Sequence, residues 1–169
     1  MIHNFDGDIP EIEEKVFLAP GAHIIGDVHI YEKVSIWHNA VIRGDLASIE
    51  IKSNTNIQEN STIHVDKNYP VFIGKNVTVG HNSIIHGCTI EKNCLIGMGA
   101  TILSGAHIKE GSIIGAGALV IENQIIPPRS LIVGLPGKVK RKITEKETDK
   151  IKHSADHYCQ LALTYLEDN

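Results

Sequence analysis

The chain has 169 residues, enough for one domain with a buried core and too few for two ordinary ones. Its formal charge is -4, its Lys and Arg are spread along the sequence, and no segment approaches the ~20 apolar residues of a membrane span, so neither nucleic acid nor a bilayer is an expected partner. Cys88, Cys94 and Cys159 form neither a CxxC pair nor an even framework, and the acidic start MIHNFDGDIPEIEE lacks a basic, apolar leader pattern, which together point to a reducing compartment, the cytoplasm.

From Ile12 the chain is organised by a repeat. An aliphatic residue recurs every six positions at Leu18, Ile24, Ile30, Ile36 and Ile42, and the series resumes at Ile51, Ile57 and Ile63. It continues at Ile73, Val79 and Ile85, then runs from Ile90 through Ile96, Ile102, Ile108, Ile114, Val120 and Ile126 to Ile132. Helices need apolar residues three and four apart and amphipathic strands need alternation, so neither explains a strict six. A short strand followed by a corner does, with the aliphatic residue inward, a small residue filling the corner and Gly or Asn easing the turn. The prism so formed spans 12–137 of a single domain, 1–169, and VGLPGKVKR with Pro136 and Gly137 marks its exit. A helix is expected over 144–168: Thr144 with Glu147 fits a capping box, and Ile151, Ala155, Tyr158, Ala162, Tyr165 and Leu166 share one face.

Counting hexads from Ile12 assigns each residue to a prism face, provided the insertions after Ile42 and Ile63 loop out without consuming one. The six-residue pattern resembles that of hexapeptide-repeat β-helix proteins, a resemblance that implies three hexads per coil. His64 and His86 each follow an inward residue and lie three hexads apart, so they would stack on one face, about 4.8 Å apart, where both can reach one ion. Arg43 occupies the next rung of that column. His81 falls on a different face, with Gln58 one coil earlier on the same side. A threefold trimer would bring His81 of one subunit against the His64 and His86 face of its neighbour.

The segments VIRGD, NIQEN, STIHVD and GHNSIIHGC resemble those of γ-class carbonic anhydrase-like proteins, a family of hexapeptide-repeat proteins. The resemblance implies an all-β fold, a left-handed parallel β-helix with a C-terminal α-helix, an exception to the right-handed crossover rule. It implies a homotrimer whose interfacial Zn2+ or Fe2+ is held by His64 and His86 of one subunit and His81 of the next. It further implies that Gln58 binds the metal-bound water, Asn56 lies near the substrate, Arg43 and Asp45 form an interfacial ion-paired cluster, and Tyr158 lines the pocket. The implied activity is the reversible hydration of CO2 to bicarbonate by a metal-bound hydroxide. Three neutral imidazoles suit that chemistry because they leave the ion its charge and an open position.

The sequence departs from the family's archetype in one respect. Where the archetype carries a long acidic loop with glutamate proton shuttles, this chain has only VDKNYPVF, leaving Asp66 and Glu59 as acidic candidates. Other readings stand beside the enzymatic one: the histidines as polar surface, Tyr158 as helix core, and Arg43 with Asp45 as purely structural. Cys88 as a fourth ligand would close the catalytic position. At the level of function the alternatives are a hexapeptide-repeat acyltransferase or acyl-CoA thioesterase, or a metal-binding homologue with little activity.

Overall fold

The computed structural model describes residues 1–167. Within them, successive hexads form short strands that stack in parallel rungs down three faces, giving the left-handed β-helix implied by the family resemblance, with about seven turns. One face carries Ile24, Ile42, Ile63, Ile85, Ile102 and Val120 in mutual register. A second carries Ile12, Ile30, Ile51, Ile73, Ile90, Ile108 and Ile126. A third carries Leu18, Ile36, Ile57, Val79, Ile96, Ile114 and Ile132. Both insertions therefore bulge without consuming a face.

From Ile24 onward these ladder residues are fully buried in a continuous core. Each complete burial of such a side chain contributes about 1.5–3 kcal/mol, and the rungs add as nearest neighbours. Cys88 and Cys94 belong to this core, where burial pushes both thiols up to about 12, so neither is a reactive thiolate. Corner residues Asn54, Asn76 and Asn93 adopt left-handed backbone and pass side-chain hydrogen bonds rung to rung at 2.8 and 3.0 Å. Asparagine suits this role because its short amide satisfies itself locally where other side chains would clash. Gly97 is required for a different reason: a Cβ there would lie 2.5 Å from the backbone nitrogen of Ala116 on the next rung.

Two strands outside the repeat close the ends of the prism. Ile2–His3 pairs in parallel with His23–Ile30 at the top. At the bottom the chain turns back and Lys138–Lys142 pairs antiparallel with Ser130–Val133, placing Lys138, Lys140, Arg141 and Lys142 on the last edge, where charge discourages further strand addition.

The helix, α1, runs Glu145–Glu167; residue 168, to which the expected helix extends, lies outside the described residues. The capping box forms, with Thr144 N donating to Glu147 Oε2 at 2.8 Å and Glu147 N donating to Thr144 Oγ1 at 3.3 Å, while Arg141 clamps Glu147 with two bonds of 2.8 and 2.7 Å. Ile151, Ala155, Cys159 and Ala162 are buried, and the helix packs on the Phe17–Leu18, Ser35–Ile36, Asn56–Ile57 and Thr78–Val79 strands. The buried stripe is centred slightly differently from the expected face: Cys159 joins it, whereas Tyr165 and Leu166 stay 39% and 42% exposed at its rim. Among the described residues no helix is long and apolar enough to cross a membrane.

Candidate metal centre

Strand register sets Arg43 beside His64 and His64 beside His86, the column that hexad counting assigns. The two imidazoles lie edge to face, and His64 Nδ1 approaches His86 Nε2 to 3.2 Å. Two nitrogens on one tetrahedral zinc, each at ~2.0–2.1 Å, stand about 3.3 Å apart. The remaining ring nitrogens are held by oxygen: His64 Nε2 lies 2.9 Å from Asp45 Oδ1 and His86 Nδ1 lies 3.0 Å from Ser104 Oγ. In the tautomers that donate both of those N–H groups outward, two lone pairs would face each other across the gap. A cation placed between them would remove that repulsion.

Asp45 is itself fixed by Arg43, whose Nη1 donates to Asp45 Oδ2. Burial acts to raise the Asp45 carboxyl, but the hydrogen bonds from His64 and Arg43 and the guanidinium charge outweigh it and hold the group below the usual carboxylate range. The carboxylate is therefore an acceptor for the imidazole N–H. The Arg43 side chain is 42% exposed.

His81 stands apart from this pair, at the corner after Val79. Its Nδ1 lies 2.5 Å from Glu59 Oε2 on the rung above, leaving Nε2 as the other ring nitrogen of a side chain that is 37% exposed. All three histidines thus present one nitrogen and anchor the other on an oxygen, the arrangement in which metal-ligating imidazoles are held. Within one chain, no group of three or more His, Cys, Asp or Glu among the described residues converges on a common point.

Gln58 and Asn56 lie on the His81 side and are 5% and 1% exposed. Gln58 Nε2 donates to Asn56 Oδ1 at 3.1 Å, Asn56 Nδ2 donates to Thr78 Oγ1 at 3.0 Å, and Thr78 Oγ1 meets Ser154 Oγ of α1 at 3.1 Å. This chain uses one of the two Gln58 amide N–H groups and leaves Oε1 as an available acceptor. Tyr158 is half-buried, edge-on to Trp37 at 5.4 Å, and Trp37 sits one rung above Gln58. Burial, with the Glu59 charge adding to it, pushes the Tyr158 phenol above its ordinary value, so the hydroxyl stays protonated as a donor. Thr78, Ser154, Trp37 and Ser104 have no signal in the sequence that sets them apart from other corner and helix residues.

The sequence profile of the family described as "Bacterial transferase hexapeptide (six repeats)" matches residues 70–104 and 87–122. A protein named "Probable carbonic anhydrase" from Methanocaldococcus jannaschii is 53% identical over 153 residues, covering 90% of this chain and 96% of that one. The chain belongs to the γ carbonic anhydrase-like family of hexapeptide-repeat proteins. "Gamma carbonic anhydrase 1, mitochondrial" of Arabidopsis thaliana is 42% identical over 166 residues, 95% of this chain, and the chain spans 60% of that relative's length. A solved Bacillus cereus structure, named for a proposed acetyltransferase, superposes with a TM-score of 0.98 at 39% identity, covering 99% and 98% of the two chains. Carbonic anhydrase-like and transferase names therefore both occur on this scaffold, and the residues around the histidine column have to discriminate between them.

Proposed function

We propose that the chain is a metal-dependent carbonic anhydrase-like enzyme that interconverts CO2 and bicarbonate at sites shared between subunits of a homotrimer. The observation that carries this reading is the paired approach of His64 Nδ1 and His86 Nε2 at 3.2 Å, with the opposite nitrogens engaged by Asp45 and Ser104. A neighbour's copy of His81, whose side chain is 37% exposed with Nδ1 engaged by Glu59, supplies the third nitrogen through Nε2 when subunits are related by a threefold axis. The donor set, three neutral imidazoles, fits Zn2+ or Fe2+. When bound there, the divalent ion supplies the Lewis acidity that brings the pKa of water down toward neutrality, a magnitude for which carbonic anhydrase is itself the standard illustration.

The chain's own residues do the rest. Gln58 Oε1 accepts a hydrogen bond from the attacking oxygen's O–H and fixes its lone pair toward CO2. Asn56, buried and bonded to Gln58 and Thr78, positions that amide and lies close to the substrate. The Tyr158 hydroxyl donates to the bicarbonate oxygen that develops charge. Asp45 keeps the His64 ring oriented, and Arg43, exposed beside it, faces the neighbouring subunit. Glu59 and Asp66, the two acidic candidates for carrying the proton away, each accept through one carboxylate oxygen, from His81 and Ser104 respectively. The second oxygen of either carboxylate can take the proton on its way to buffer.

Elemental analysis of protein purified without chelator, followed by stopped-flow CO2 hydration on the reloaded protein, tests the reading. About one tightly held ion per interface, lost in His64→Ala and His81→Ala alike, and hydration that rises with buffer concentration are expected. Metal-independent turnover of an acyl thioester without CO2 hydration would favour the transferase reading suggested by the Bacillus cereus relative.

A further inference from the structure

The four-residue insertion after Ile63 is short and carries none of the acidic loop of the family's archetype, yet it is built with care. Val65 and Val71 are buried at its two ends, and between them Asp66 and Tyr69 exchange backbone bonds of 3.3 and 2.9 Å, with Asn68 in left-handed backbone at φ +71°. The resulting hairpin lies on the next corner. A Cβ on Gly87 would meet Tyr69 Cβ at 2.8 Å and Ser104 Oγ at 2.9 Å, and the φ of Gly87 is +52°. The corner is bare of side chain at Gly87 because the hairpin and Ser104 fill it.

The hairpin delivers Asp66 to Ser104. Ser104 Oγ donates to Asp66 Oδ2 at 3.4 Å and lies 3.0 Å from His86 Nδ1, and Ser104 is 8% exposed. A serine hydroxyl has a single hydrogen; once it is spent on Asp66, only lone pairs remain for His86, which must then donate its Nδ1–H. We propose that Ser104, backed by Asp66 on the insertion hairpin, is a positioning residue that holds His86 in the Nδ1–H tautomer and aims its Nε2 lone pair at the ion. His64 and His81 have direct carboxylate partners in Asp45 and Glu59; the hairpin gives His86 the equivalent support through one intervening hydroxyl. This inference rests on the metal reading above for its purpose, not for its contact.

Ser104→Ala, Asp66→Asn and the double variant separate the parts. Zinc affinity, measured by chelator competition on stripped and reloaded trimer, should fall about 10- to 100-fold in Ser104→Ala, the range for losing an outer partner of a metal-bound imidazole. Asp66→Asn should lose less, about threefold to tenfold, and the double variant should match Ser104→Ala within about twofold, because Asp66 acts only through the hydroxyl. In stripped protein, 15N shifts of the neutral His86 ring should change from the Nδ1–H form in the wild type to predominantly Nε2–H in Ser104→Ala. Affinity within about twofold of wild type and an unchanged tautomer in Ser104→Ala would overturn the proposal, as would fully additive losses in the double variant. Should His64→Ala and His86→Ala hold as much zinc as wild type, the metal reading falls, while the tautomer measurement still decides the Ser104 contact.

Discussion

The upper and lower halves of the prism have the same fold and different discipline. From Ile90 to Ile132 the inward residues are spaced by six without interruption. Between Ile42 and Ile90 the rule breaks at three places, after Ile42, after Ile63 and after Ile85, and each break begins on the same face at consecutive rungs. The residues that follow those three isoleucines are Arg43, His64 and His86. The extra or missing residues carry Asp45 to His64, carry Asp66 to Ser104, and bend the chain at Gly87 beside His86. The uninterrupted half shows what the repeat alone provides, a stable stack with side chains at regular intervals. The interrupted half shows that site geometry here is made at corners, where length can change without disturbing the aliphatic ladder.

The sharpest way to set the halves against each other is along one column. His86→Ala should lose the tightly held ion and lower CO2 hydration by more than about 100-fold, beyond the usual cost of an outer-shell partner, as read by elemental analysis and stopped flow. Leu103→Ala, the next rung of the same column, should keep both. The ladder, by contrast, should treat the halves alike: Ile85→Ala and Ile102→Ala, both fully buried, should each cost about 2–5 kcal/mol in urea unfolding. A large difference between them would mean the breaks weaken the core. Deleting residues 66–69 restores a spacing of six after Ile63; the protein should retain its β-sheet circular dichroism and lose about tenfold in zinc affinity, the effect expected of Asp66 acting through Ser104.

Smaller effects belong to the helix that spans both halves. Thr144→Ala removes the cap and should cost about 1 kcal/mol in the same unfolding assay. Glu147 supplies the acid test. Its carboxyl is held down at about 2 by the Arg141 hydrogen bonds, with the Thr144 contacts adding to them, against an ordinary 4.5. A depressed folded value means its contribution is complete above the ordinary value and is lost as pH falls through the folded one. The difference in melting temperature between wild type and Glu147→Gln should therefore be constant above about pH 5 and vanish between 4.5 and about 2.

Much of this was legible in the sequence because a strict six-residue period fits neither a helix nor an alternating strand, and the three hexads per coil implied by the family resemblance convert linear spacing into faces. The assumption that the insertions consume no face holds for a physical reason: Ile49, Val65 and Val71 are buried and tie the inserted segments back to the core. What stayed hidden depends on contacts with no periodic signature. Ser104, two residues after Ile102, looks like an ordinary turn residue until a hairpin from two coils earlier places a carboxylate on it. The capping box and apolar stripe announce α1 but not the face it covers, so the Thr78 to Ser154 bond that steadies Asn56 could not be read. The end strands Ile2–His3 and Lys138–Lys142 lack the repeat altogether.

The claim on which the functional account turns is that each site is completed by a second subunit. Mixing His64→Ala and His81→Ala proteins under conditions that exchange subunits, with mixed trimers verified by native mass spectrometry, tests it directly. Random assembly of equal amounts should restore about one quarter of the wild-type sites in a closed threefold ring, seen as zinc retained after dialysis and as matching CO2 hydration. Mixed trimers that form in full but hold no more zinc than the parent variants would contradict it.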